Sequence, residues 1–248
     1  MPDPIHFARK YAENSEWQYQ RGLQLLELAA PVEGRAVVDL GCGTGQLTME
    51  LARRVGNGGS VIAVDPDAAR LREAAAARTP EVTNLELREG QAQDVGWIEE
   101  ASIDLVFSNY AVHWVLDHAT MLREVERILK PGGRFVAEFV GETPSLFYEL
   151  LLLMPDGEQH VQDNAFRKDQ EWRTLISARK LETVRWDWLS LSLDFENLTD
   201  LYQWLEGTSH GRFEAKNMAP AAAADFEARF PGPASAPVTA LRMVLERV

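Results

Sequence analysis

The sequence has few of the features that place a protein outside the cell, in a membrane or on nucleic acid. It contains a single cysteine, Cys42, so an intrachain disulfide is impossible and a reducing cytoplasm is the expected location. Residues 1–30 have no apolar segment typical of a signal peptide, and the longest apolar run, residues 150–154, is far shorter than the ~20 residues of a membrane span. There are 25 basic against 38 acidic residues, and a net charge of −13 disfavours binding to a phosphate backbone or an anionic membrane. We therefore expect no nucleic-acid or membrane partner; we also expect a monomer or homodimer.

The sequence does not indicate a metal ion either. The five histidines are scattered, none is four residues from another, and no group of cysteine and histidine has zinc spacing. At 248 residues, with 46% hydrophobic residues, the chain can bury a sizeable core without a metal or a disulfide.

Residues 34–141 alternate short β-branched runs with longer amphipathic segments. Strands are predicted at residues 36–40, 60–65, 85–88, 103–108 and 134–140, and two more at 184–193 and 238–248. Alternation of strands and helices implies parallel strands with right-handed crossovers and helices on both faces. The predicted fold is α/β, with a doubly wound, Rossmann-like, mostly parallel sheet of seven strands and helical cap insertions.

A glycine-rich loop follows the first predicted strand. Residues 41–45 read GCGTG, and glycines at a strand–helix junction let backbone N–H groups approach a ligand closely. In open α/β sheets such a ligand binds beyond the carboxyl ends of the strands. The spacing differs from the Gly-x-Gly-x-x-Gly of dinucleotide-binding proteins, and a tight turn without any ligand is the other interpretation.

An acidic residue, Asp65, ends the second predicted strand twenty residues after Gly45. A carboxylate at this position can accept hydrogen bonds from both hydroxyls of a ribose. Alternatively, Asp65 could cap the following helix, a role that Asp67 could also fill.

Five segments, in order, resemble the motifs of class I methyltransferases that depend on S-adenosyl-L-methionine (SAM). These segments are residues 37–45 (VVDLGCGTG), 64–67 (VDPD), 90–94 (GQAQD), 104–109 (DLVFSN) and 129–133 (LKPGG). The resemblance implies SAM as the cofactor and S-adenosyl-L-homocysteine as the product.

The resemblance also implies a role for each matching residue. The loop glycines would line the methionine and ribose of SAM, Asp39 would lie near the methionine amino group, and Asp65 would hold the ribose. Gln91 stands where the family commonly has aspartate, so either Gln91 or Asp94 would accept a hydrogen bond from the adenine amino group. The cofactor-binding residues implied in this way are Asp39, Gly41, Cys42, Gly43, Gly45, Asp65, Pro66, Gln91, Ala92, Asn109, Tyr11 and Gln18.

Two further segments resemble small-molecule carboxyl methyltransferases similar to trans-aconitate methyltransferase. Residues 109–114 read NYAVHW, and residues 11–18 (YAENSEWQ) resemble the opening segment that closes over the cofactor in that group. The predicted organisation therefore has an N-terminal helical segment (1–33) that closes over the cofactor, a SAM-binding core (34–141), and a third part (142–248) with cap elements and the last two strands.

The sequence does not specify the methyl acceptor. A carboxylate would need no general base, whereas a phenol, alcohol or amine would use His113, whose ordinary pKa of about 6.5 suits proton removal near neutrality. His113 could instead only position or pack beside Trp114. His210 and Arg212 could bind a carboxylate or lie in a solvated loop. Carboxylate O-methylation is our first hypothesis; the alternatives are hydroxyl or amine methylation, a SAM-binding module without catalysis, and a NAD-dependent oxidoreductase.

Overall fold

The structure, a computed structural model, describes residues 16–29, 31–142, 145–162, 166–209 and 211–248. The strands are β1 (Ala36–Leu40), β2 (Ser60–Asp65), β3 (Leu85–Glu89), β4 (Ile103–Asn109), β5 (Leu129–Glu142), β6 (Leu181–Phe195) and β7 (Ala234–Arg247). The α-helices are α1 (Glu16–Ala29), α2 (Gln46–Val55), α3 (Ala68–Ala77), α4 (His118–Ile128), α5 (Ser145–Leu152), α6 (Gly157–Gln162), α7 (Asp169–Ser177), α8 (Leu198–Thr208) and α9 (Pro220–Arg229). Short 3₁₀ turns lie at Val112–Trp114 and Ala215–Asn217.

Within the described residues, the strands form one sheet in the order β3-β2-β1-β4-β5-β7-β6. Strands β1 to β5 are parallel to their neighbours in this group, β7 is antiparallel to β5, and β6 is antiparallel to β7. This confirms the predicted α/β fold with its Rossmann-like, mostly parallel sheet. The direction of winding changes between β1 and β4, and ligands of doubly wound sheets bind at the carboxyl ends of the strands at such a point.

Apolar side chains on both faces of the sheet form the core. On one face, Phe139 and Trp172 of α7 pack with their ring centroids 5.2 Å apart, and α4 completes the layer. On the other face, α1 and α2 bury Leu25 and Leu51 against the sheet. A third apolar cluster joins α5, α8 and α9 to the adjoining ends of β6 and β7, and it forms the cap.

The C-terminal half departs from several predicted boundaries. Residues 145–162, in the predicted cap region, form two helices, α5 and α6, separated by a turn in which Asp156 has a positive φ of 59°. β5 begins at Leu129 rather than at residue 134, so residues 131–133 (PGG) lie inside the strand. β6 begins at Leu181 rather than at residue 184, and its register against β7 shifts between Thr183 and Arg185.

In the parts of the chain that the structure describes, no helix combines the length and the apolarity needed to cross a bilayer. The same residues contain no group of three or more histidine, cysteine, aspartate or glutamate side chains placed to hold a metal ion.

Candidate active site

The carboxylate of Asp65 joins the glycine loop after β1 to the end of β2. Asp65 is 5% exposed; its Oδ2 accepts a hydrogen bond from the N–H of Gly43 (2.8 Å), and its Oδ1 accepts one from the N–H of Asp67 (2.9 Å). Asp67 is the residue that caps α3, because its Oδ1 accepts from the N–H groups of Ala69 and Arg70. Each oxygen of Asp65 keeps a second lone pair, so the carboxylate can still accept hydrogen bonds from a ligand.

Asp39, at the end of β1, is buried against the first turns of α2. Its Oδ2 accepts a hydrogen bond from the hydroxyl of Thr48 at 2.6 Å. Burial raises the pKa of Asp39 to about 7, and the Thr48 hydrogen bond only partly opposes that shift. Sequence reasoning missed Thr48, whose only signal was its place on the apolar face of the helix after the loop. A cationic ligand group near Asp39 would favour its ionised form.

A cavity of about 400 Å³ lies at the carboxyl ends of the strands, within the range of small-molecule sites. Most of the predicted site residues line it: Gln18, Gly41, Asp65, Pro66, Gln91, Ala92, Asn109 and His113. A second group of lining residues comes from the cap and the loop after α8: Phe147, Leu151, Leu193, Trp204 and Arg212. A smaller cavity next to it is lined by Asp39 and Cys42, together with Gln18, Gly41 and Asn109.

Of the loop glycines, Gly41 is the one that lines the main cavity. Its φ is 78°, and a Cβ there would come within 2.1 Å of the Ala111 Cβ, so the close approach of the two segments requires glycine. Gly43 and Gly45 also have positive φ, but they line neither cavity. A Cβ on Gly45 would lie 2.8 Å from the Cβ of Ala74, so this glycine permits close packing against α3. Direct contact of Gly43 and Gly45 with a cofactor stays a prediction.

The loop after β3 lines the cavity with Gln91, Ala92 and Gln93. The side-chain amide of Gln93 donates a hydrogen bond to Oε1 of Gln91 at 2.5 Å. Asp94 is exposed and is not among the described residues that line the cavity. Gln91 and the N–H of Ala92 are therefore better placed than Asp94 to meet an adenine.

Gln18 of α1 and Asn109 of β4 bring two buried acceptors to the border of both cavities. The Nδ2 of Asn109 donates to the backbone oxygen of Gln18 at 3.0 Å. Within the described ranges, neither Oε1 of Gln18 nor Oδ1 of Asn109 accepts a hydrogen bond. A buried acceptor without a donor costs about 1–3 kcal/mol, so the pair indicates a ligand that donates N–H groups. Tyr11, also predicted to contact the cofactor, lies outside the described residues.

His113 lies in the 3₁₀ turn after β4 and is 7% exposed. It packs between Trp114 (ring centroids 5.0 Å apart) and Phe166 (6.3 Å), and its Nδ1 has no hydrogen-bond partner among the described residues. Burial, helped by the neighbouring charges of His118 and Arg212, lowers the pKa of His113 to about 3. The ring is therefore neutral at pH 7 and is a much weaker base than an ordinary imidazole.

Sequence reasoning missed a buried ion network beside the cavity. Glu138 of β5 is fully buried, and its Oε1 accepts hydrogen bonds from Arg21 Nε (2.8 Å) and the Tyr110 hydroxyl (3.0 Å). Its Oε2 accepts one from Arg242 Nε of β7 (2.5 Å). Tyr110 lines the cavity and packs edge-on against Trp17 of α1, with ring centroids 5.0 Å apart. A lone glutamate in the otherwise apolar run of residues 135–140 was the available signal, because a buried carboxylate needs cationic partners.

Arg212 lies in the cavity wall rather than in a fully exposed loop, and His210 falls outside the described residues. The Arg212 guanidinium stands over the ring of Trp114, 4.6 Å from its centroid. On the same side, Trp204 of α8 stacks on Phe147 with ring centroids 5.0 Å apart. The indole N–H of Trp204 is buried and donates no hydrogen bond within the part of the chain that is described.

The charges on the cavity wall are unevenly placed. Among the described lining residues, Asp65 is the single carboxylate, and Arg70 and Arg212 are the two cations. Arg70 lies beside Asp67 (Nε to Oδ2, 3.6 Å), and its charge partly opposes the upward shift that burial gives the pKa of Asp65. Arg70 is thus associated with the acidic side of the cavity, whereas Arg212 stands on the cap side.

These residues fit SAM. The ammonium group of its methionine part would find acceptors in Gln18 Oε1, Asn109 Oδ1 and the Asp39 carboxylate. The ribose hydroxyls would find the remaining lone pairs of Asp65. Gly41 lets the loop after β1 approach Ala111 closely at the wall of the cavity.

Comparison with known proteins agrees with this fit. Residues 38–137 match the family described as "Methyltransferase domain". Over 97 residues the chain is 40% identical to trans-aconitate 2-methyltransferase of Deinococcus radiodurans. The aligned segment covers 39% of this chain and 34% of the relative. Over 104 residues it is 38% identical to demethylmenaquinone methyltransferase of Lactococcus lactis. This aligned segment covers 42% of the chain and 41% of the relative. The chain thus matches well under half of the length of these curated relatives.

The similarity of fold extends over nearly the whole chain. The structure of geranyl diphosphate methyltransferase in complex with SAM matches 99% of this chain and 92% of its own length, with a TM-score of 0.63 and 18% sequence identity. At that identity the match concerns the fold alone. The motifs, the matched family and the fold agree: the chain carries a class I, SAM-dependent methyltransferase domain similar to that of trans-aconitate methyltransferase.

Proposed function

We propose that the protein transfers the methyl group of SAM to a carboxylate of a small molecule bound in the main cavity. The observation that carries the proposal is the guanidinium of Arg212 in the cavity wall on the cap side, next to a histidine that is a poor base. Arg212 can pair with a carboxylate there, while His113, with a pKa of about 3, takes up a proton poorly near neutrality.

The need for a base separates the possible acceptors. An ordinary carboxylic acid, with a pKa near 4, is already ionised at pH 7 and can attack a methyl group directly. A phenol or alcohol must lose a proton, and the described lining residues offer poor acceptors for it. Burial raises the pKa of Tyr110, and its hydroxyl is bonded to Glu138. The remaining lone pairs of Asp65 would be taken by the ribose of SAM.

The protein's own part is to bind, orient and exclude water. When bound, SAM supplies a methyl group that its sulfonium has already activated. Gln18, Asn109 and Asp39 would hold the methionine end and Asp65 the ribose. Arg212 would turn the acceptor carboxylate toward the methyl group, and the apolar cap would keep the site dry.

Other properties predicted from the sequence stay predictions. These are the cytoplasmic location, the monomeric or homodimeric state, and the three-part division of the chain. The names of the two curated relatives refer to different methyl acceptors, trans-aconitate and demethylmenaquinone. The choice of a carboxylate for this chain therefore depends on the cavity.

The chemical stability of the product tests the proposal. The protein would be incubated with SAM carrying a labelled methyl group and with a mixture of small carboxylic acids, phenols, alcohols and amines. We expect S-adenosylhomocysteine and a labelled product that releases methanol in mild alkali, as methyl esters do. A label that resists alkali would point to an ether or amine and overturn carboxylate methylation. Tight SAM binding with no S-adenosylhomocysteine would support a non-catalytic module, and binding of NAD without SAM would support an oxidoreductase.

The His113→Ala variant gives an independent test of the base. We expect the dependence of kcat on pH between 6 and 9 to keep its shape, since the ring of His113 is neutral across this range. Loss of a rising limb near pH 6–7 in the variant would show that His113 removes a proton from the acceptor.

A further inference from the structure

We infer that the acceptor is a monocarboxylic acid with an apolar body, such as a medium-chain or aryl-substituted acid, and not a polycarboxylate. This inference rests on the proposed function and narrows the class of its substrate. It is carried by the composition of the cap side of the cavity.

Among the described lining residues, the cap side offers one positive charge. Arg212 is the cation there, and Arg70, the other cation among the described lining residues, is associated with Asp65 and Asp67. His113 adds no charge at neutral pH. A guanidinium can bind one carboxylate through two parallel hydrogen bonds, and we assign this role toward the acceptor to Arg212.

Apart from the hydroxyls of Thr208 and Ser209, the cap residues that complete this side are mostly apolar. Phe147, Leu151 and Leu193 are each less than 9% exposed, and they belong to the apolar cluster that joins the cap helices to β6 and β7. A second or third carboxylate placed against these side chains would be buried without a partner, at a cost of several kcal/mol. An aliphatic chain or an aromatic ring would instead gain from the same contacts.

Trp204 supplies a second polar contact in this apolar wall. Its buried indole N–H has no acceptor among the described residues, and its ring lines the cavity. A bound oxygen would satisfy this donor, which is costly to leave unpaired. Arg212 and Trp204 both line the cavity, and we assign both donors to the one carboxylate of the acceptor, with the ring of Trp204 against its apolar body.

Initial rates with four probes test the substrate class. Decanoate and trans-cinnamate represent apolar monocarboxylates, trans-aconitate represents a polycarboxylate, and decanamide serves as a neutral competitor. We expect kcat/KM for the better apolar monocarboxylate to exceed that for trans-aconitate by about 100-fold or more, because the extra carboxylates lack partners. Methylation of trans-aconitate with no turnover of either monocarboxylate would overturn the inference and leave the proposed function intact. Turnover of none of the acids, with SAM bound, would count against the proposed function itself.

Variants of the two donors identify how the carboxylate is recognised. Arg212→Gln should lower kcat/KM for the monocarboxylate about 10- to 100-fold, and Trp204→Phe about 10-fold, because each removes a donor to a charged group. Arg212→Lys should restore part of the loss, since it keeps the charge without the paired N–H groups. Arg229→Gln is the matched control, because Arg229 pairs with Glu149 at an exposed site.

Competition separates recognition of the charge from a change of shape. In Arg212→Gln the Ki of decanoate should rise about 10- to 100-fold, while that of decanamide should stay within a factor of about three. Equal weakening of both ligands would show that Arg212 acts only by packing against Trp114. SAM affinity and the urea midpoint, measured on each variant, establish that the variant is folded. The comparison of the four probes uses the wild-type protein and does not depend on any variant.

Discussion

Glu138→Gln tests whether the buried ion network fixes α1 to the sheet. Glu138 is fully buried, and the side chains of Arg21 and Arg242 are 17% and 11% exposed. Glutamine keeps the size of the side chain but removes the charge that both guanidinium groups address. Removing one partner of a buried ion pair leaves a cation without compensation, and the usual cost is about 3–5 kcal/mol. Because a chain of this size loses about 2–4 °C per kcal/mol, the midpoint of thermal unfolding should fall by about 6–20 °C.

A second Arg–Glu pair on the same two strands supplies a matched control. Arg134 and Glu246 are directly opposite in the β5–β7 ladder, as are Glu138 and Arg242. The side chains of Arg134 and Glu246 are 44% and 34% exposed, so Glu246→Gln should cost at most about 1 kcal/mol.

Urea unfolding, followed by circular dichroism and fluorescence, measures both variants without adding salt. We expect the free energy of unfolding to fall at least 2 kcal/mol more in Glu138→Gln than in Glu246→Gln. SAM affinity should also fall in Glu138→Gln, because its partner Tyr110 and the adjacent Trp17 line the cavity. Equal losses of stability in the two variants would refute the claim that burial gives the network its strength.

Two further perturbations test the cofactor side of the cavity. The pKa of Asp39 is raised to about 7 from its ordinary 3.8, so the folded protein favours the protonated carboxyl. The stability that this preference contributes is fully present below pH 3.8 and is lost as the pH rises through about 7. If the ionised form binds the SAM ammonium, the Kd of SAM should fall about tenfold between pH 6 and pH 8, and calorimetry on Asp39→Asn should show no such trend. Gly41→Ala should abolish measurable SAM binding, because its Cβ would overlap Ala111, whereas Gly132→Ala, with a similar φ and open space, should cost about 1–2 kcal/mol of stability and leave binding unchanged. Normal SAM affinity in Gly41→Ala would refute the close approach of these segments.

The sequence by itself determined the parallel part of the fold and pointed to the cofactor. The strands and helices follow from local rules, because a buried strand, a glycine turn and an amphipathic helix each leave a pattern in neighbouring residues. The cofactor follows from the five segments that resemble the motifs of SAM-dependent methyltransferases. The position of Asp65 could also be predicted, since the carboxyl ends of adjacent parallel strands meet at one edge of the sheet. Its hydrogen bond to Gly43 is the contact that this proximity makes possible.

Only the tertiary structure decided the chemistry of the acceptor side. His113, Trp204 and Arg212 come from different parts of the chain, and no local pattern shows that they line one cavity. The pKa of His113 depends on how much water the folded chain removes from it, which sequence spacing does not encode. Sequence spacing does not encode the partners of Glu138 either. The fold brings Arg21 and Arg242 to this buried carboxylate from distant segments. The five motif segments together therefore point to the methyl donor from sequence, whereas the proposed acceptor side depends on long-range packing.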